Sequence, residues 1–239
     1  MTSAQRTNEF GQPIGEDVVD WQPPPAPSAV VLRGTHCVLE PLDPDRHTDD
    51  LFAAYAAAPD DRDWTYLPLG PFGTIDEFRA WAEPAAAGQD PFLFAVVDTA
   101  TGRAVGTLAL MRQDPANGVV EVGYVMFSRA LQGTRASTEA QYLLMRHAFE
   151  LGYRRYEWKC DSLNEPSRRA AARLGFTYEG TFRQLVVYKG RTRDTAWFSI
   201  TDGEWPRRRA AFEAWLDPSN FDDDGRQRAP LTAHTANAY

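Results

Sequence analysis

Residues 118–152 read, in order, as an apolar strand, a short loop of small and polar residues, and a long helix. In GVVEVGYVMF the β-branched residues cluster and the run is short, the mark of a strand buried on at least one face. Gln132-Gly133-Thr134-Arg135-Ala136-Ser137 then offers a small residue at most positions, and TEAQYLLMRHAFELG continues with apolar residues on more than one helical face. A strand, a small-residue loop and a helix N-terminus together form a nest of backbone N–H groups suited to phosphate. Few folds satisfy that order, and the rest of the chain has to be built around it.

The surrounding composition narrows the class. With 239 residues, 43% of them hydrophobic, the chain can bury a full core in one large domain or two small ones. No apolar run approaches the roughly 18 residues of a membrane span, and MTSAQRTNEFGQ lacks the apolar centre of a secretion signal. Cys37 and Cys160 are too few for a disulfide scaffold and fit a reducing cytoplasm. A net charge of −8 argues against nucleic acid as the partner and mildly favours amine-bearing substrates.

Residues 1–30 form an arm whose end, with Pro23, Pro24, Pro25 and Pro27, is extended and stiff. Phe10, Ile14, Val18, Val19 and Trp21 are more apolar than a free leader needs, so the arm is expected across the core surface, towards the acceptor side; a mobile leader is the alternative. Residues 217–239 are polar and read as a loose tail. Between them, 31–216 alternates strand and helix periods: strands at 31–42, 92–97, 103–111, 119–127, 153–161, 176–184 and 194–201, helices at 45–58, 74–87, 138–151, 166–174 and 204–216. Thr74 and Glu77 make a capping-box start, and Thr138 to Gln141 offers a second one for the long helix. The result is a mixed α/β layered fold.

GVVEVGYVMF, the loop into TEAQYLLMRHAF, and NEPSRRAAARLGFTYEGTFRQ resemble the GCN5-related N-acetyltransferases (GNAT), in wording closest to their RimJ/RimL-like branch, over residues 32–205. The resemblance implies a mostly antiparallel central sheet flanked by helices, with a splayed strand pair at the acyl-CoA site. It implies acetyl-CoA as cosubstrate, an amine acceptor, no metal, and transfer by direct attack in a ternary complex; a homodimer stays open. A non-catalytic acyl-CoA-binding module and a longer donor such as succinyl-CoA are the alternatives.

The family's pyrophosphate loop is Gln or Arg, two residues, Gly, one residue, then Gly or Ala. Here Gln132 takes the first place, Arg135 replaces the Gly, and Ser137 takes the last small position; Gly133, Thr134, Ala136 and Thr138 complete the expected donor loop. Arg135 gives up the backbone freedom of glycine but adds a cation. Val125, Met126 and Phe127 match the strand end that pairs with the pantetheine arm, and a backbone N–H near Val125 or Met126 would hold the oxyanion. Asn164 matches the residue that bonds the pantetheine amide, and Ser167 the hydroxyl that protonates the departing thiolate; both are also ordinary helix-start residues. Arg168, Arg169 and Arg173 form a basic strip that either meets the nucleotide end of CoA or is simply solvated.

From the residues themselves, alternation places Glu121 on an otherwise apolar strand face with Gly123 leaving open floor beside it. Desolvation would raise its pKa and make it a competent base; a structural carboxylate paired with Arg or Lys is the other reading. Cys160 and His147 read as buried structural residues, with His147 hydrogen-bonded in the core. Trp64 and Tyr66, with Asp61 and Asp63, either receive the acceptor or pin their loop to the core.

Overall fold

A computed structural model describes residues 6–235. The first strand expected at 31–42 is two: β1 (Leu32–Arg33) and β2 (Cys37–Pro41). They are separated by a hairpin turn, where the chain folds back so that β1 pairs antiparallel with β2 (Leu32↔Leu39, Arg33↔Val38). The N–H groups of Thr35, His36 and Cys37 in that turn all donate to the Glu139 carboxylate, at 2.8, 2.6 and 2.8 Å. Two helices follow, α1 (Pro44–Ala56) and α2 (Ile75–Ala87). Thr74 caps α2 as expected, its hydroxyl accepting from Glu77 N at 3.2 Å.

Then come β3 (Phe92–Asp98), β4 (Ala104–Asp114), β5 (Val119–Phe127), α3 (Arg135–Glu150), β6 (Arg155–Asp161), α4 (Glu165–Arg173), β7 (Thr177–Tyr188), β8 (Arg191–Thr201), α5 (Trp205–Leu216) and a short α6 (Leu231–Thr235). The α3 start corrects the sequence reading. Thr134 is its cap, accepting from Ser137 N at 3.2 Å, so the helix begins inside the loop rather than at Thr138.

All eight strands join one sheet in the order β1-β2-β3-β4-β5-β6-β8-β7, antiparallel except between β5 and β6. That parallel pair requires a crossover, and α3 supplies it. One core lies between the sheet and α3 and α5, with Leu143, Leu144, Tyr156 and Phe212 buried; the other lies under α1 and α2, with Leu51, Phe78, Leu93 and Ala109.

β5 and β6 hold register only from Val119↔Arg155 to Val122↔Trp158. Beyond that β5 runs on to Phe127 against β4, and β6 runs on to Asp161 against β8. A bulge in the β4–β5 pairing between Thr107 and Ala109 coincides with Tyr124 at φ 48°. Such a bulge bends its strand, and here it accompanies the parting of β5 from β6.

The arm lies elsewhere than expected. Trp21 Nε1 donates to Ala116 O at 3.2 Å, and Pro24 packs beside Gly152, so the arm runs along the end of the sheet opposite the parting strands. Phe10, Ile14, Val18 and Val19 are exposed and cover no core. The C-terminal segment also departs from its composition. Phe221 and Leu231 are buried, and the Asn220 side chain bonds Trp215 O, Ala229 O and Ala229 N. Polar residues there satisfy one another around two apolar anchors, so the segment is packed rather than loose through residue 235; the last four residues of the expected tail lie outside the described residues.

Candidate active site

Where β5 and β6 part, β5 presents an edge with no neighbouring strand. Ser128 N donates to Val105 O at 3.1 Å and Met126 pairs with Thr107, which fixes which way each peptide group points. Alternation then turns the backbone groups of Val125 and Phe127 into the gap and those of Met126 towards β4. The Met126 carbonyl also accepts the Tyr55 hydroxyl at 2.9 Å, so Met126 has no backbone group to offer the gap. The Phe127 carbonyl is taken by Gln132 Nε2 at 2.8 Å. What faces the gap is the N–H and C=O of Val125 and the N–H of Phe127.

Glu121 sits just before the parting, 5% exposed. Lys159 Nζ lies 2.9 Å from its Oε2 and 2.6 Å from Glu157 Oε2, and Arg112 Nε lies 3.4 Å from the same Glu121 oxygen. Register explains the grouping, since Glu121 and Glu157 face each other across the parallel pair and Lys159 follows two residues on. Lys159 is itself buried, with Nζ 3.8 Å from the centroid of Trp197. Glu121 is ion-paired, and burial still outweighs Lys159 and Arg112 in pushing its pKa up. The open floor expected over Gly123 is absent, because Met111 fills it and a Cβ on Gly123 would collide with the Met111 sulfur.

At the loop, Gly133 takes φ 73° and Thr134 O–H donates to Leu131 O at 2.7 Å, turning the chain into α3. The leading N–H groups of α3 have no intrahelical acceptor and point out of its N-terminus. Arg135, half-buried, lays its guanidinium 3.5 Å over the Phe221 ring. Thr138 is buried and its hydroxyl accepts from Arg173 at 2.7 Å, so both are tied up within the protein. Arg169 pairs with Glu165 at 3.4 Å and Arg168 with the same residue at 3.7 Å on the α4 surface.

Asn164 caps α4 by accepting from Ser167 N at 3.2 Å, and among the described residues its side-chain amide N–H groups have no partner. Ser167 Oγ accepts from Trp158 Nε1 at 3.0 Å, so its own hydrogen remains to donate. Cys160 and Trp158 share one strand face; burial pushes the Cys160 thiol up, against the opposing Ser167 hydroxyl, and leaves it a poor nucleophile. His147 is buried with its Nε2 unpartnered, unlike the hydrogen-bonded core histidine expected, and burial lowers its pKa. Tyr188 O–H donates to Asp161 Oδ2 at 2.7 Å at the end of β6, and its phenol is raised to about 12, by burial first and then by Asp161.

On the α1–α2 side the loop aromatics pin their loop. Trp64 is buried edge-on to Tyr55 at 5.4 Å, and Tyr66 O–H reaches Leu163 O at 3.1 Å. Asp63 pairs with Arg129 at 2.8 Å. Lys189 and Arg191, from the β7–β8 turn, donate to Trp64 O and Thr65 O at 2.8 and 2.7 Å and close the rim. Asp60 and Asp61 with Tyr55, Trp64 and Phe72 line a small cavity behind it.

Residues 36–177 match the family model described as Acetyltransferase (GNAT) domain. A crystal structure of a GCN5-related N-acetyltransferase from Brucella melitensis superposes with a TM-score of 0.89 at 47% identity, covering 91% of this chain and 99% of that one. The uncharacterized N-acetyltransferase p20 of Bacillus licheniformis is 31% identical over 145 residues, 59% of this chain and 80% of that protein. The acetyl transferase from Salmonella typhimurium that modifies the N-terminal serine of 50S ribosomal subunit protein L7/L12 shares the fold alone, with a TM-score of 0.61 at 20% identity, covering 72% of this chain and 99% of that one.

Proposed function

The chain belongs to the GCN5-related N-acetyltransferase family and is an N-acetyltransferase, and on that premise we propose that it moves an acetyl group from acetyl-CoA to a primary amine, of a small molecule or a protein N-terminus, in the cytoplasm. The observation that carries the reading is the gap between β5 and β6. It joins the sheet face bearing Glu121 to the opposite face, where Ser167 sits against Trp158. A pantetheine arm in that gap finds the free backbone groups of Val125 and Phe127 and the free amide of Asn164. Its phosphates then meet the N-terminal turn of α3.

In this account the acceptor amine enters from the α1–α2 side and attacks the thioester carbonyl. The new C–N bond forms as the C–S bond breaks. Glu121, through water, takes the proton the amine loses, and Ser167 gives one to the departing thiolate. In this reading the Val125 N–H holds the oxyanion. Steady-state turnover with acetyl-CoA across a panel of amines, read as CoA release, tests the reading. Glu121→Gln is expected to lower kcat/KM at neutral pH by about 10²-fold; an unchanged rate removes Glu121 as the base.

A further inference from the structure

The C-terminal segment meets the donor loop through arginine and aromatic faces. Phe221 is buried against Trp215, with ring centroids 5.3 Å apart at 81°. Asn220 locks the turn that carries it, and Trp215 Nε1 donates to Gln227 at 2.8 Å. Each aromatic carries an arginine from a helix that begins at the donor site: Arg135 of α3 on Phe221, and Arg173 of α4 over Trp215 at 5.8 Å. The two arginines differ in what their N–H groups do. Arg173 spends one on Thr138. Arg135 makes no hydrogen bond and no ion pair among the described residues, although Asp222, Asp223 and Asp224 are close in sequence to its ring partner. Stacking uses the face of a guanidinium and leaves its in-plane N–H donors available. A half-buried cation with free donors beside the N-terminus of α3 is matched to an anion.

We propose that the C-terminal segment is a working part of the donor site: Phe221 is a positioning residue that holds Arg135 against the loop, where its guanidinium takes phosphate oxygens of the CoA nucleotide. The role rests on the acetyl-CoA reading above. It gives the arginine that stands where the family's loop has glycine a function in place of the lost backbone freedom, and it assigns one to a segment beyond the matched domain. Gly225 fits the arrangement, since a Cβ there would come within 3.2 Å of the Arg135 guanidinium.

The test compares two donors on the intact chain: acetyl-CoA, and S-acetylpantetheine, which has the same thioester and no phosphates. Arg135→Ala is expected to weaken CoA binding in calorimetry by roughly tenfold to a hundredfold, the range for a hydrogen-bonded charge. Phe221→Leu, which keeps an apolar anchor but removes the ring face, is expected to weaken it several-fold. Both should leave kcat/KM for S-acetylpantetheine at the wild-type value, and both should flatten the salt dependence of CoA binding. Wild-type CoA affinity in Arg135→Ala overturns the proposal, as does an equal loss for both donors, which marks a merely structural role. Absence of CoA binding by the wild type would instead overturn the donor reading itself, so the two failures are told apart by the parent protein.

Discussion

Lys159 tempers how burial shifts Glu121. Without it, Glu121 and Glu157 would face each other in register, both buried, with only Arg112 and Arg155 at their flanks. Burial raises the Glu121 pKa and Lys159 opposes the rise, so the carboxylate titrates above the ordinary range yet is held from climbing further. With Glu121 as the base proposed above, which works when deprotonated, kcat/KM should rise with pH through its titration. Lys159→Met is expected to move that acidic limb to higher pH while activity recovers at alkaline pH, as a pH–rate profile would show; a limb left in place would mean Lys159 does not set the charge of Glu121. The single carboxylate on an apolar strand was readable from sequence. Its partners were not, because Arg112, Glu157 and Lys159 come from strands whose neighbours only the sheet order defines. Met111 over Gly123 was hidden for the same reason.

At the level of elements, local patterns were legible wherever one segment carries its own signal. The strand Val119–Phe127, the Thr74 cap and the order of helices and strands needed no tertiary knowledge. The misreadings concern how segments fold back and where they begin. One strand became β1 and β2 because the chain turns at 34–36 and the two halves pair with each other, the turn held by the Glu139 carboxylate of α3. Thr138 looked like a helix start because Gln141 is spaced to complete a capping box with it, whereas Thr134 caps the helix. Glu139→Ala is therefore expected to cost about 3 kcal/mol, since it leaves the part-buried N–H groups of Thr35 and His36 and the buried one of Cys37 without their acceptor. Thermal unfolding should register a fall of roughly 10 °C, and a fall of only a degree or two would show that the β1–β2 turn holds without the carboxylate. The C-terminal segment was misread because its polar residues satisfy each other, which composition cannot express.

Across the whole molecule, the sheet is one surface with two cores, and the parting of β5 from β6 is where its two faces communicate. Glu121 belongs to one face and Ser167 to the other, so the roles proposed for them at a single bound thioester require the sheet to be open between them. Binding in the gap should also stabilise the protein: at a hundredfold excess over Kd, acetyl-CoA would add about 2.7 kcal/mol, visible as a rise of roughly 5–10 °C in Tm. The most direct test of the gap as the donor site is amide hydrogen exchange resolved to single residues, with and without acetyl-CoA. The account predicts that the N–H groups of Val125 and Phe127, free on the open edge of β5, become strongly protected together with the first turn of α3. Protection that leaves Val125 and Phe127 exchanging as in the free protein, while acetyl-CoA is bound, would place the donor elsewhere and contradict the account.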